Sequence, residues 1–194
     1  MYVDPANPAL ASAPQWMRIE HNGIMNGPSP NRDLGNLWPA IDNDDGSSQF
    51  WMQSNLLIYG GAKNYLGDTK VWNGNLLVIP ERWAGDPCIC AWSGTGHTFT
   101  NNTCITPTTS SPNYFDSSAS GATCQANYSS PQSAPLLPQF AGNRYVTLNG
   151  KFEEGCAGEY SLEDLNALGQ ELGSVVSASY KVQDVAAMAA ALLA

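Results

Sequence analysis

Positive charge is scarce in this sequence. Only 8 of its 194 residues are Lys or Arg, against 17 Asp or Glu, so the formal net charge is −9. Such a surface repels nucleic acid and anionic membranes, and it accepts a polyanionic glycan only where a cation bridges the two. Charged residues of both signs make up 13%, about half the usual share. There is no run of about eighteen apolar residues, so no segment reads as a membrane-spanning helix. No C-x-x-C pair occurs among Cys88, Cys90, Cys104, Cys124 and Cys156, which removes the zinc-ribbon and thioredoxin readings. His21 and His97 are the only histidines, and neither has a partner carboxylate in evident register for a triad or a zinc site. The opening MYVDPANPAL lacks the basic and apolar regions of a signal peptide.

What is present is turn-forming: 18 Gly and 13 Pro, with frequent Asn and Ser. Five cysteines and two sequons, at Asn101 and Asn127, suit an extracellular or secretory-lumen protein. Set beside the missing signal peptide, they suggest the C-terminal part of a longer secreted protein. An odd cysteine count leaves one thiol free or paired outside the chain. Cys124 is well placed to staple the long insertion, to a neighbouring strand or to Cys156.

The central stretch says the same thing twice. Asn55-Leu56-Leu57-Ile58-Tyr59 returns as Asn75-Leu76-Leu77-Val78-Ile79, and weaker copies start at Asn102 and Asn143. The spacings are 20, 27 and 41, as if loops of growing length left a fixed repeat. Recurrence of like residues at like places predicts a solenoid in which the asparagines stack at equivalent bends and alternate apolar residues point inward. An antiparallel sandwich is the competing arrangement. Three parts follow: an extended segment and first rung at 1–40, rungs at 41–160 with a long insertion at 107–138, and a cap at 161–194. In the last part Ser161-Leu162-Glu163-Asp164 is a capping box. A second helix is expected from Val182 to Leu193, with Val185, Met188, Ala189 and Leu192 on one face, covering the open end of the solenoid.

The Asn-led repeat, the linking Tyr59-Gly60-Gly61-Ala62-Lys63-Asn64-Tyr65-Leu66-Gly67, and the closing stretch Ser161 to Ser174 resemble the right-handed parallel β-helix proteins of the pectin-lyase-like class. The resemblance runs from about Asn36 to Ser177. Leu165 stands where the class often has an aromatic, and Glu171 where it has an aspartate. It implies an all-β fold, a right-handed parallel β-helix solenoid with C-terminal capping helices. The class includes lyases, glycoside hydrolases, epimerases and non-catalytic surface proteins, so the resemblance does not choose an activity.

Asp42-Asn43-Asp44-Asp45-Gly46 is the densest carboxylate cluster. Asp42, Asp44 and Asp45 are candidate Ca²⁺ ligands, although the spacing is not an EF-hand; a solvated Asx-turn explains them equally simply. Asp44 and Asp45 are also candidate carboxylates for glycoside hydrolysis. Asp44-Asp45 and Gly94-Thr95-Gly96-His97 resemble parts of the polygalacturonase pattern, but its R-I-K is missing and Arg144-Tyr145-Val146 does not replace it. Lys63 is the candidate base for a lyase, with Tyr65 beside it. Trp51, Tyr65 and Trp72 are candidate sugar-stacking residues, with core packing as the alternative for each. Two functions remain open. One is a carbohydrate-interacting secreted protein, with a lyase or hydrolase of acidic polysaccharide as its enzymatic form. The other is a non-catalytic structural or assembly subunit whose partners are other protein subunits.

Overall fold

Alternating apolar runs that end at an asparagine bend assemble into parallel sheets. A computed structural model describes residues 16–25, 40–43, 47–64, 67–79, 88–92, 96–106, 113–116, 139–147, 150, 152, 154–155, 159–178 and 180–194. The chain visits three sheets in turn. It passes through β1 (Met17–Glu20), β2 (Gly23–Met25) and β3 (Ile41–Asn43), then β4 (Phe50–Gln53), β5 (Leu56–Ile58) and β6 (Ala62–Asn64). The next passes are β7 (Lys70–Asn73), β8 (Leu76–Val78) and β9 (Ile89–Trp92), then β10 (Thr98–Thr100), β11 (Thr103–Ile105) and β12 (Asn113–Asp116). β13 (Gln139–Ala141) and β14 (Arg144–Val146) follow, then a short antiparallel pair, β15 (Glu154–Gly155) and β16 (Glu159–Tyr160). After α1 (Leu162–Ala167) come β17 (Val175–Ser177) and α2 (Val182–Leu193).

The first sheet has the order β1-β4-β7-β10-β13, the second β17-β14-β11-β8-β5-β2, and the third β12-β9-β6-β3. Every pairing within these three sheets is parallel. The fold is therefore mostly β and parallel, with two helices among the described residues. β12 lies inside the stretch 107–138, read above as an insertion, and pairs with β9.

One bend joins the first sheet to the second in every circuit. It begins with a residue of positive φ: His21 (55°), Ser54 (54°), Gly74 (65°), Asn101 (55°), Gly142 (63°) and Gly173 (75°). The residue after it forms the ladder. Backbone N–H of Asn22 donates to Asn55 Oδ1 at 3.1 Å, Asn55 to Asn75 at 3.0 Å, Asn75 to Asn102 at 2.9 Å and Asn102 to Asn143 at 2.9 Å. Each Nδ2 also donates to a main-chain carbonyl: Asn55 to Ile19, Asn75 to Met52, Asn102 to Trp72 and Asn143 to Phe99. Buried amides are satisfied in both directions, so the asparagines set the register of successive circuits.

The main core holds Met52, Trp72, Phe99 and Phe140 of the first sheet with Leu57, Leu77, Cys104 and Tyr145 of the second. Alternate residues were expected to be buried, but Leu56 and Leu76 are buried as well as their neighbours Leu57 and Leu77. The reason is α2. Its Val185, Met188, Ala189 and Leu192 pack against Leu56, Leu76, Ile105 and Val146. Twelve helical residues span about 18 Å, close to the ~19 Å across the five strands from β14 to β2. His21 Nδ1 donates to the Leu192 carbonyl at 3.0 Å, which fixes the far end. The helix thus lies along the side of the second sheet, not over the open end as the sequence suggested. Leu165 of α1 enters the main core instead. The predicted capping box is present: Ser161 Oγ accepts from Asp164 N–H at 3.2 Å, and Asp164 Oδ2 accepts from Ser161 N–H at 2.9 Å.

Cys88 and Cys104 form a disulfide inside the core, with Cα atoms 5.9 Å apart. The cysteines expected to staple the insertion, Cys124 and Cys156, lie outside the described residues, and Cys90 is described only as backbone of β9.

Candidate functional site

Parallel pairing aligns side chains in columns, and the outer face of the first sheet carries two of them. Arg18, Trp51, Val71, Thr98 and Gln139 form one column by register. Glu20, Gln53, Asn73, Thr100 and Ala141 form the other. Trp51 is half-buried. Trp16 meets it edge-on, with centroids 5.6 Å apart and planes at 84°. The Arg18 guanidinium lies 5.9 Å from the Trp51 ring centroid, a cation–π approach. Trp51 Nε1 donates to Gln53 Oε1 at 2.6 Å, and Arg18 Nη1 donates to Glu20 Oε1 at 3.4 Å. Farther along, Thr100 Oγ1 and Asn101 Nδ2 both donate to Asn73 Oδ1, at 3.1 and 3.0 Å.

This arrangement offers an indole with a guanidinium over its ring and with a carboxylate and amides nearby, on a face that repeats about every 4.8 Å. An aromatic face stacks on the C–H face of a sugar ring, amides meet hydroxyls, and a guanidinium pairs with a carboxylate. Trp51 was legible as a candidate; Trp16, Arg18 and Gln53 were not. Aligning the circuits on their asparagines would have found Arg18, which precedes Asn22 by the same four residues that separate Trp51 from Asn55.

Trp72, the other tryptophan proposed for stacking, needs correcting. It is 1% exposed and belongs to the main core, so it presents no face to a ligand. Strand alternation puts it beside Met52, in register with it, on the inward side, while Trp51 faces out. Asp42 and Lys63 are register partners on β3 and β6, and Lys63 is followed by Cys90 on β9. Backbone placement thus sets a candidate calcium ligand, Asp42, and the candidate lyase base, Lys63, on adjacent strands. Asp44, Asp45 and Tyr65 lie outside the described residues, as does Asn127. Asn101 is exposed at its bend. Among the described residues no group of three or more His, Cys, Asp or Glu is arranged to hold a metal ion. No helix among them is long and apolar enough to cross a membrane.

Among the described residues, Lys70, His97, Tyr145 and Glu171 carry buried titratable side chains. Lys70 Nζ donates to the Asn43 carbonyl at 3.5 Å, and Lys70 N–H donates to His97 Nδ1 at 3.2 Å. Glu171 lies beside the ladder's last residue, Ser174: its carboxylate accepts from Tyr145 OH at 2.5 Å, Ser174 Oγ at 2.6 Å and Asn143 Nδ2 at 3.1 Å. Burial raises its pKa above the usual carboxylate value, against the lowering effect of those three donors. These groups hold the interior together and do not face the Trp51 platform. No family model, no curated protein and no solved structure matches this chain.

Proposed function

We propose that this chain is a right-handed parallel β-helix resembling the pectin-lyase-like class, and that it binds carbohydrate outside the cell through the outer face of its first sheet. The observation that carries the reading is the half-buried Trp51 with Arg18 over its ring and Gln53 on its indole N–H. Repeating sheet columns suit a linear polymer, whose sugars also repeat. Arg18 favours an acidic glycan, since it is a cation on a chain of net charge −9.

Binding without turnover is favoured over catalysis. The platform's one described carboxylate, Glu20, accepts from Arg18, whereas glycoside hydrolysis needs two carboxyls about 5 to 9.5 Å apart. In the enzymatic form, Asp44 and Asp45 would be the carboxylates and Lys63 the base, with Ca²⁺ as the bridging cation. A panel of neutral and uronate polysaccharides, with and without calcium, tests both forms. Binding is expected to weaken about tenfold in Trp51→Ala, equivalent to about 1.4 kcal/mol. Product release that disappears in Asp44→Asn/Asp45→Asn would establish the enzymatic form. Unchanged affinity of Trp51→Ala for every glycan bound would remove the platform reading.

A further inference from the structure

The large exposed apolar side chains are not scattered. Met17, Met25 and Leu193 lie at the end of the stack formed by the first circuit, since Leu193 Cδ1 sits 3.6 Å from where a Cβ on Gly23 would be. Leu168, Leu172, Val175, Tyr180 and Val182 lie at the other end, between the C-cap of α1 and the first residue of α2. Together these make up the exposed large hydrophobics of the described residues. Monomeric proteins rarely concentrate exposed apolar surface in this way without a partner.

The two ends are also complementary in backbone. Among the described residues, β2 and β17 are the opposite edges of the second sheet, each three residues long and each following the same positive-φ bend. Leu172 bridges Ala141 in parallel and so continues the first sheet beyond β13, whose opposite edge is β1. An unpaired strand edge is a template for another strand, and here any added strand that continued the sheets would be parallel. The ladder has a direction as well. Asn55, Asn75, Asn102 and Asn143 each accept on Oδ1 from the preceding circuit, and Asn22 is the first of the series. The helices share this polarity: α2 starts at the last circuit and ends at the first, so stacked copies would set one α2 C-terminus towards the next α2 N-terminus, a favourable dipole alignment.

We infer that the partner of each end is the opposite end of a second copy of this chain, with β17 of one copy beside β2 of the next. Such a contact is heterologous and does not close, so copies add in a row. Each copy adds the six strands of its second sheet, a repeat of about 29 Å at ~4.8 Å per strand. The first-sheet columns continue across the junction, one strand from Trp51. Like charge opposes the contact, so association should strengthen as salt is raised.

Sedimentation velocity of the full chain over a concentration series is the test, with Met25→Lys blocking one end and Val175→Lys the other. These side chains are 67% and 55% exposed, so folding should survive; if Val175→Lys lowers the melting temperature, Leu172→Lys replaces it. Wild type should form a ladder of species that grows with concentration and salt. Each variant alone should be monomeric. An equimolar mixture should form heterodimers and nothing larger, because it contains one compatible pair of ends. A wild type that is monomeric at every concentration, a closed dimer blocked by one variant alone, or a mixture that behaves as its separate components would each overturn the inference.

Discussion

The Tyr145 hydroxyl donates to Glu171 Oε1 at 2.5 Å, and both residues are buried. Glu171 has a φ of 53° and accepts from Asn143 Nδ2, beside Ser174, which holds the last ladder position. Its desolvation outweighs its three donors, so its pKa in the folded state lies above the unfolded value of about 4.5. For such a group the stabilising contribution is complete below the unfolded pKa and is lost as pH rises through the folded one. Wild-type stability relative to Glu171→Gln should therefore fall as pH rises from 4 towards neutrality. Urea melts of both proteins across that range check it, and a flat difference would show that Glu171 titrates as it does in the unfolded chain.

Asn75 N–H and Nδ2 donate to Asn102 Oδ1 of the following circuit, at 2.9 Å each, and its side chain also holds the preceding one. Its Oδ1 accepts from Asn55 N–H and Nδ2 at 3.0 Å each, and its Nδ2 donates to Met52 O at 3.0 Å. Asn75→Ala takes this acceptor from the Asn55 N–H and this donor from the Met52 carbonyl, while Asn55 Nδ2 keeps Ile19 O; each buried group left unsatisfied costs about 1–3 kcal/mol. A loss of about 3 kcal/mol or more is expected in equilibrium urea unfolding.

Cys88 and Cys104 close a loop with a sequence separation of 16. Cross-linking a loop of about 15 residues is worth about 3 kcal/mol of unfolded-state entropy. Cys88→Ala/Cys104→Ala should therefore unfold at lower urea by about that amount. Mass mapping without reductant should recover the Cys88–Cys104 pair.

Gly74 and Gly142 occupy equivalent bends with φ of 65° and 63°. A Cβ on Gly74 would meet nothing within 4 Å, whereas one on Gly142 would lie 2.6 Å from Asn101 Oδ1. Gly74→Ala should cost about 1–2 kcal/mol, from the left-handed conformation alone. Gly142→Ala should cost more, because Asn101 must also move and give up its bond to Asn73. Thermal melts of the two variants give the order.

Local pattern made part of this architecture legible. Asn55, Asn75, Asn102 and Asn143 mark bends because a carboxamide that meets backbone on two sides is needed wherever the chain turns in the same way. Ser161 and Asp164 mark a helix start because the capping box is built within one turn. The apolar face of α2, read at helical spacing, is the face that packs. What α2 packs on was not legible, since that depends on which side of the second sheet remained uncovered. The ladder's two ends, Asn22 and Ser174, lack the Leu-Leu run that marked its middle, and their bonds to Asn55 and Asn143 identify them. Trp51 and Trp72 could not be separated by composition, because exposure in a strand depends on parity relative to the bend. The Cys88–Cys104 pairing, too, arises only when the chain stacks β9 and β11 around a common core. Sequence determined what a few neighbouring residues decide among themselves; which residues meet across circuits, and which of them face solvent, was decided by the register of the stacked sheets.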